Sequence, residues 1–308
     1  MNRVATGNNY STVLNDLMRA QVRQQDANAQ VSSGKIASDL KGYAKNAETL
    51  LATRSIQTKV DSYLAQGKTL TSKLESQDLA LNQTADAAAG ARQAVAEALA
   101  TGRGDSLMSE LKSWFSSASD SLNAKFGGRY LFAGGQVDTP PVTATSMADL
   151  TASPTVAAVF KNDNLAPTSQ LDESTTVQSG FLADQLGTGL FDSFRQVQDF
   201  VDANGDFSGQ LTATQQTFLQ GMLGGFETAR AGLTDATARN GLTQNRVDTT
   251  MKTQDARRSM LEGMVSGVTD VDMAEAISRL EQARTTVQAS AQVFSALSQS
   301  SLLNLLQP

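Results

Sequence analysis

The chain has no cysteine and no histidine among its 308 residues. The lack of cysteine excludes disulfides, thiol catalysis and cysteine-based zinc or iron–sulfur sites. The lack of histidine removes the commonest general base and the commonest transition-metal ligand. An enzyme would have to use carboxylates, lysine, serine, threonine or tyrosine alone. We therefore expect a protein that is not an enzyme and that holds no cofactor or metal.

Aromatic residues and positive charge are also scarce. Aromatics make up 6% of the chain, whereas 40% is hydrophobic, mostly alanine, leucine and valine. This mixture suits closely packed helices better than a thick globular core. The net charge is −6, the isoelectric point is near 4.8, and lysine and arginine form no block. We expect no nucleic-acid partner, because binding to a phosphate backbone needs a basic face.

Long apolar runs are missing as well. The N-terminal stretch MNRVATGNNYSTVLNDLMRAQ lacks the apolar region of a cleaved signal peptide. No segment approaches the roughly 18–20 apolar residues that a membrane-spanning helix needs. The sequence predicts no membrane insertion, and by the usual rules it would indicate a cytoplasmic protein.

A sustained apolar repeat predicts one long helix from about residue 47 to residue 100. Ten of the thirteen seam residues are apolar, and their spacing alternates between four and three. Over six heptads this pattern is typical of a coiled coil. The seam reads Ile56, Val60, Tyr63, Gly67, Leu70, Leu74, Gln77, Leu81, Thr84, Ala88, Ala91, Val95 and Ala98.

The two ends of the chain carry thinner helical seams. Residues 11–33 have apolar residues at helical spacing, and so does the segment from about residue 273 to the end. Helices with so little apolar surface are not stable alone. We therefore expect the two terminal helices to pair with each other. Further helices are expected over about 107–122, 181–204 and 213–265, with caps at Asp105, at Thr212 with Gln215, and at Asp272 with Glu275.

The middle of the chain differs in composition. Residues 137–180 hold four of the five prolines and the runs PVTAT, TVAAVF and TTVQS, which favour short β-strands. The predicted fold is mainly α, a long coiled-coil-like helical rod built from paired N- and C-terminal segments, with a small β-rich insertion. We divide it into a terminal assembly domain (1–45 with 265–308), a helical rod domain (46–136 with 181–264) and the insertion (137–180).

The stretch GGRYLFAGGQVDTPP, residues 127–141, invites comparison with a phosphate-binding loop. It contains neither Gly-x-Gly-x-x-Gly nor the P-loop pattern, and it follows a predicted helix where both motifs need a strand. We expect the glycines to end the helix and an extended segment to follow. Gly127, Gly128, Tyr130 and Phe132 are then a structural hinge, whose aromatic side chains pack back against the helices.

Three polar clusters have the composition of chemical sites. SSGK (32–35) and SELK (109–112) match a Ser-x-x-Lys nucleophile motif, but the partner motifs SDN and KTG are missing. DANGD (202–206) is rich in oxygen ligands but lacks the remaining ligands of a calcium loop. Asp270, Asp272 and Glu275 are explained by a helix N-terminus, where negative charge is favoured. We expect a structural role for all three clusters.

Several motifs together resemble the bacterial flagellin and hook–filament junction protein superfamily. They are SSGK followed by Ser38-Asp39, then ARNGLTQNRVD (238–248), VTDVDMAEAISRL (268–280) and QASAQVFSALSQSSLLNLL (288–306). The resemblance covers roughly residues 1–135 and 185–308 and leaves the middle unmatched. GRYLFAGGQVDTPP resembles the junction branch, that of the third hook-associated protein, more than it resembles filament flagellins.

This resemblance implies an extracellular flagellar protein, exported through the type III apparatus with an uncleaved N-terminal signal. It also implies terminal helices that are disordered in the monomer and form a coiled coil on assembly. The implied partners are copies of the same chain, a neighbouring hook-associated protein, flagellin, the export apparatus and an export chaperone.

The sequence thus predicts a structural subunit of the hook–filament junction that assembles through its terminal helices. The residues expected to carry the subunit interface are Leu14, Leu17, Ile277, Leu280, Val287, Phe294 and Leu297. Three alternatives stay open at this point. The chain could be flagellin itself, a secreted hydrolase using Ser32 and Lys35, or a coiled-coil adhesin that binds a host ligand through residues 137–180.

Overall fold

A computed structural model describes the backbone of residues 2–306 and the side chains of residues 11–298. The chain is 74% helical, and the described part contains two small antiparallel sheets of two strands each. This confirms a mainly α fold with a small β insertion. The elements are α1 (Asn2–Ser33), α2 (Ala47–Thr101), α3 (Leu107–Leu122), β1 (Lys125–Phe126), β2 (Arg129–Tyr130), α4 (Met147–Ala152), β3 (Thr168–Gln170), β4 (Thr176–Gln178), α5 (Ala183–Asn204), α6 (Ala213–Thr269) and α7 (Met273–Leu306).

The chain divides into two compact units. Met1–Lys59 and Arg257–Pro308 form one, which we call the terminal unit, and Val60–Ala256 form the other, the central unit. Helices α2 and α6 contribute to both, so the boundary falls within long helices. The finer three-part division made from the sequence stays a prediction.

In the terminal unit, α1 and α7 contact each other and run antiparallel. The backbone N–H of Ile36 donates to Thr269 O at 2.8 Å, and that of Val271 donates to Gly34 O at 3.0 Å. These bonds bring the end of α1 to the start of α7. Gly34 has a φ of +67°, a conformation that glycine adopts without strain and that ends α1.

The covered positions of α1 and α7 follow a heptad pattern. Their spacing alternates between four and three, as in an antiparallel coiled coil. Small residues such as Ala20, Ala27 and Ala276 let the backbones approach but bury little apolar area. The seam consists of Val13, Leu17, Ala20, Gln24, Ala27 and Val31 on α1, and of Ala276, Leu280, Ala283, Val287, Ser290, Phe294 and Leu297 on α7.

In the central unit, the predicted seam of α2 is covered as the heptad pattern requires. From Val60 to Ala98 every predicted seam position is buried except Tyr63, which is half-buried. Even the polar seam residues Gln77 and Thr84 are fully covered. At Gly67 a Cβ would meet Cγ of Met251 at 2.8 Å, so the methionine fills the place of the missing side chain.

Buried amides fix how α2 lies against α6 within the central unit. Asn240 Nδ2 donates to Leu74 O at 2.9 Å, and Gln244 Nε2 donates to the same oxygen at 3.2 Å. Sliding one helix along the other would break these two bonds in a water-poor interior, where an unmade hydrogen bond is costly. A third amide, Gln77 Nε2, donates to Ser179 O at 3.2 Å and joins α2 to the segment that follows β4.

Four buried phenylalanines form a cluster between α3, α5 and α6. The ring centroid of Phe115 lies 5.1 Å from that of Phe191 and 5.5 Å from that of Phe194. Phe226 continues the cluster, 5.2 Å from Phe194 in an edge-to-face arrangement. Such contacts add to the hydrophobic gain of burying the rings.

The insertion, residues 137–180, is less strand-rich than the sequence suggests. The run TTVQS forms β4, which pairs with β3 in a hairpin. The run TVAAVF instead forms a 3-10 turn, Val156–Val159, followed by a bridge between Phe160 and Val142. Local β propensity is overridden here because Val156 and Val159 point into the core.

The insertion shares its core with the helices of the central unit. Val142, Leu150 and Phe160 are buried in the same cluster as residues of α3 and α5. Leu171 and Val177 of the β3–β4 hairpin pack on Leu70, Leu74 and Val247. The insertion is therefore an integral part of the central unit.

Gly127 and Gly128 do not end a helix, which corrects the prediction. Helix α3 ends at Leu122, where Asn123 bonds the backbone of Val142 through both side-chain atoms, each at 3.0 Å. The two glycines form the turn between β1 and β2 with φ values of +56° and +83°. Two positive φ angles are what a two-residue hairpin turn requires.

Of the three predicted helix caps, one is complete, one is half formed and one is wrong. Thr212 and Gln215 bond each other's backbone N–H at 2.9 and 3.3 Å. Asp272 accepts from the N–H groups of Ala274 and Glu275, whereas the Glu275 side chain accepts from Arg279 and does not complete the pair. Asp105 does not cap α3. Its carboxylate accepts from Gly209 N–H at 2.8 Å and so ties the start of α3 to a distant loop.

Candidate functional site

Large apolar side chains are exposed mainly on the terminal unit. Of fifteen such residues in the described part of the chain, twelve lie there and three, Leu79, Leu165 and Leu242, lie in the central unit. Single exposed apolar residues are normal on protein surfaces, but a concentration of them marks a contact surface. We call the twelve the open apolar set: Leu14, Met18, Val22, Ile36, Leu40, Leu51, Ile56, Met260, Met264, Met273, Ile277 and Val293.

Helical spacing places several members of this set on common faces. Leu14, Met18 and Val22 recur every four residues along α1, beside the α1–α7 seam. Met260 and Met264 are likewise four residues apart on α6, next to the buried Leu261. Folding of a single chain leaves these faces in water.

The predicted interface residues fall into two groups. Leu17, Leu280, Val287, Phe294 and Leu297 occupy seam positions and are buried or half-buried. Leu14 and Ile277 lie outside the seam and are 37% and 48% exposed. The first group joins α1 to α7, and the second is available to another molecule. None of these observations tests the assignment to a subunit interface, which stays a prediction.

Four exposed methionines of the terminal unit were not predicted as interface residues: Met18, Met260, Met264 and Met273. They lie beside heptad positions and therefore do not belong to a seam pattern. Apolar residues flanking a seam at four-residue spacing would have been the signal.

Lys35 of the SSGK motif lies in a polar cluster at the α1–α7 turn. Its Nζ donates to Asp270 Oδ1 and, at 3.3 Å, to Thr269 Oγ1, while Ser266 Oγ donates to Asp270 Oδ2 at 2.5 Å. The hydrogen bond from Lys35 is the main cause that lowers the pKa of Asp270 to about 2. Asp270 therefore links the end of α1 to the start of α7 and does not serve as an N-terminal charge of α7, which corrects the prediction.

The Ser-x-x-Lys motifs show no catalytic pairing. In the described structure Lys35 bonds Asp270 and Thr269, and no hydrogen bond joins it to Ser32. The Lys35 amine is thus held by Asp270 and Thr269 and is not paired with a nucleophile. In the second motif, Ser109 Oγ donates to Ser106 O within its own helix.

The DANGD segment ends a helix. Asn204 Nδ2 donates to Phe200 O at 2.9 Å, and Gly205 follows with a φ of +83°. Among the described residues no group of three or more acidic side chains is placed to hold a metal ion. None of the helices in the described residues is long and apolar enough to cross a membrane.

The predicted hinge residues lie in the β1–β2 hairpin and just after it. Gly127 and Gly128 are exposed, Tyr130 is half-buried with Lys125 Nζ 4.3 Å from its ring centroid, and Phe132 is fully buried. Phe132 O also accepts from Ala183 N–H at 3.0 Å. Phe132 thus anchors the segment to the start of α5, and a hinge function stays a prediction.

The described residues thus combine paired terminal helices with exposed apolar faces. The family model of the bacterial flagellin C-terminal helical region matches residues 223–306. No curated protein sequence matches the chain.

Among the solved structures, two examples have a similar fold. A Vibrio parahaemolyticus protein assigned as flagellar hook-associated superposes with a TM-score of 0.60 at 16% identity, covering 72% of this chain and 97% of its own. FlgL from Bacillus cereus superposes with a TM-score of 0.54 at 14% identity, covering 71% and 99%. Residues 223–306 are thus similar to the flagellin C-terminal helical region, and the fold is that of flagellar hook-associated proteins, as the motifs predict. These relatives are structural proteins, in agreement with a non-enzymatic role.

Proposed function

We propose that this protein is a structural subunit of the bacterial flagellum at the junction of hook and filament, and that copies of it assemble through the terminal unit. The open apolar set carries the proposal, since twelve exposed large apolar side chains on one unit call for a covering partner. Copies of the same chain provide that partner, and flagellin and a second hook-associated protein adjoin them.

Hydrophobic burial supplies the free energy of assembly. Fully covering one large apolar side chain contributes about 1.5–3 kcal/mol, and about 1.4 kcal/mol changes a binding constant tenfold. Burial of a few members of the open apolar set, such as Leu14 and Ile277, therefore suffices to favour assembly. The thin α1–α7 seam gains further cover when a neighbouring copy packs against it.

A junction role is favoured over filament flagellin by the solved structures. Both similar structures described above are hook-associated proteins, and they match about seven tenths of this chain. The proposal includes an extracellular location and type III export with an uncleaved N-terminal signal, assisted by a chaperone.

Labelling of intact cells with an antibody against this chain tests the location. The proposal predicts one spot at the outer end of each hook. Labelling along the whole filament would identify a flagellin instead, and label away from flagella would contradict both.

A strain that lacks the protein distinguishes the proposed role from that of an adhesin. The proposal predicts loss of swimming because filaments detach or fail to form. Normal swimming together with lost surface adhesion would favour an adhesin.

A further inference from the structure

The methionines of this chain are distributed unequally between the two units. The chain has nine methionines and no cysteine, so thioethers are its only sulfur groups. The exposed ones lie in the terminal unit: Met18 (50%), Met260 (60%), Met264 (50%) and Met273 (43%). The fully buried ones, Met108, Met147 and Met222, lie in the central unit.

Met260 and Met264 form the most accessible pair. They are four residues apart on α6, so both side chains emerge on the same side of the helix. Each is at least half exposed, whereas Leu261 between them is 5% exposed. A small oxidant in the surrounding water therefore reaches both sulfur atoms without any opening of the fold.

We propose that Met260 and Met264 are oxidation sites through which peroxides weaken self-association of this protein. The sulfur lone pair attacks one oxygen of hydrogen peroxide and the O–O bond breaks. The thioether is oxidised to a sulfoxide, and the remaining oxygen takes up the proton and leaves as water. Each event consumes one peroxide and needs no other reactant.

The sulfoxide changes what the surface can contact. It turns a flexible apolar side chain into a polar one, which disrupts methionine-rich contacts. Because the affected side chains are already in water, the monomer keeps its fold and loses apolar surface available to a partner. This inference rests on the proposed function, since it assumes that the terminal unit contacts other copies.

Peptide mass spectrometry of the full chain after mild hydrogen peroxide treatment tests the selectivity. Met260 and Met264 are expected to be converted well before Met108, Met147 and Met222. Conversion of all these methionines at similar rates would contradict the inference. Circular dichroism before and after treatment is expected to be unchanged, and a loss of helical signal would show that oxidation acts by unfolding.

Sedimentation of treated and untreated protein tests the consequence. The concentration needed for self-association is expected to rise about tenfold on oxidation, which corresponds to ~1.4 kcal/mol. The Met260→Leu/Met264→Leu variant, compared with its own untreated sample, is expected to lose most of this sensitivity. Met222→Leu, which alters a buried methionine, is expected to retain it. Equal sensitivity of the two variants would overturn the inference.

Two further results separate this inference from the proposed function. Untreated chain that does not self-associate at any concentration would overturn both. Untreated chain that self-associates as well as the oxidised chain would overturn the inference alone. The Met260→Gln/Met264→Gln variant, polar without oxidant, is expected to associate weakly, and full association would also contradict the inference.

Discussion

The ring of Trp114, the chain's only tryptophan, contacts α2 at a residue without a side chain. A Cβ added at Gly90 would meet ring atoms of Trp114 at 2.3–2.6 Å, closer than packed atoms approach. Glycine costs helix stability at an interior position of α2. Its presence is explained by the space that the indole ring occupies.

Replacement of Gly90 by alanine is expected to lower the stability of the central unit. Displacing a packed ring costs about 1–3 kcal/mol, which exceeds the gain of about 0.5–1 kcal/mol from a better helix former. Urea unfolding followed by tryptophan fluorescence measures the change. Gly221→Ala is the matched control, because nothing lies within 4 Å of its Cβ position in α6. That variant is expected to be more stable than the wild type, and a Gly90→Ala variant equally stabilised would contradict the account.

The stabilising contribution of the contact between Lys35 and Asp270 is expected to depend on pH. The carboxyl of Asp270 has a pKa of about 2 in the folded chain against an ordinary value of 3.8. Because the folded pKa is the lower one, the contact contributes fully above about pH 3.8 and is lost as the pH falls towards 2. Lys35→Met is expected to raise this pKa, measured by NMR titration of the carboxyl carbon. In the control variant Lys41→Met the pKa of Asp270 is expected to stay near 2. An unchanged pKa of Asp270 in Lys35→Met would contradict this explanation.

At the scale of elements, α1 and α7 form a pair with too little apolar area to be strong. Its seam contains Gln24 and Ser290, and several alanines. Leu280, 6% exposed, is one of the few large side chains buried in it. Ile277, three residues earlier on the same helix, is 48% exposed. The two residues therefore separate pairing within a subunit from contact between subunits.

Leu280→Asp is expected to abolish both the α1–α7 pairing and assembly, because a carboxylate in the seam has no partner. The central unit keeps its fold. Circular dichroism is expected to show a partial loss of helix, and motility to be lost. Normal motility of this variant would contradict the account.

Ile277→Asp is the comparison. It is expected to keep the helical signal and still assemble at least about tenfold more weakly, since burial of that side chain is worth about 1.5–3 kcal/mol. Sedimentation measures the difference. If this variant assembled like the wild type, the outer face of α7 would not be part of the interface.

Helices α2 and α7 also show which seam residues can be predicted from the sequence and which cannot. The seam of α2 was predicted correctly from Val60 to Ala98 because its heptad repeat is sustained and few other registers bury as many leucines. Ile56, the first predicted seam residue, is instead 37% exposed. On α7 the adjacent residues Ala276 and Ile277 both fit an apolar stripe, and Ile277 was the one predicted. The structure places Ala276 in the seam, where a small residue lets α1 approach. Whether Ala276 or Ile277 faces α1 depends on the residues of α1. The sequence pattern of α7 alone does not contain this information.

Contacts distant in sequence account for the other errors. Asp105 has the position of a helix cap, yet Gly209 N–H, far along the chain, takes its carboxylate. The glycines at 127 and 128 follow a helical pattern, yet Asn123 ends α3 through the backbone of Val142. Local sequence patterns predict which conformations a segment can adopt. Hydrogen bonds to residues distant in sequence determine which of these conformations forms.

At the scale of the molecule, the central unit is one folding body that includes the insertion. Residues of the insertion share the core with α3 and α5. A fragment of residues 60–256 is therefore expected to unfold in one cooperative thermal transition. The same fragment without residues 137–180 is expected to lose that transition, because Phe160 and Leu150 leave an uncovered core. An intact transition after the deletion would show that the insertion is a separate domain.

The account's central claim is that the outer faces of the terminal unit are covered by other copies in the flagellum. Because the chain has no cysteine, one introduced thiol reports on its own position. Ile277→Cys is expected to react with a maleimide in the secreted monomer and to be protected in assembled flagella. Leu242→Cys, at a position of the central unit where the native leucine is 70% exposed, is expected to react in both. Equal reactivity of the thiol at position 277 in monomer and assembled flagella would contradict the claim.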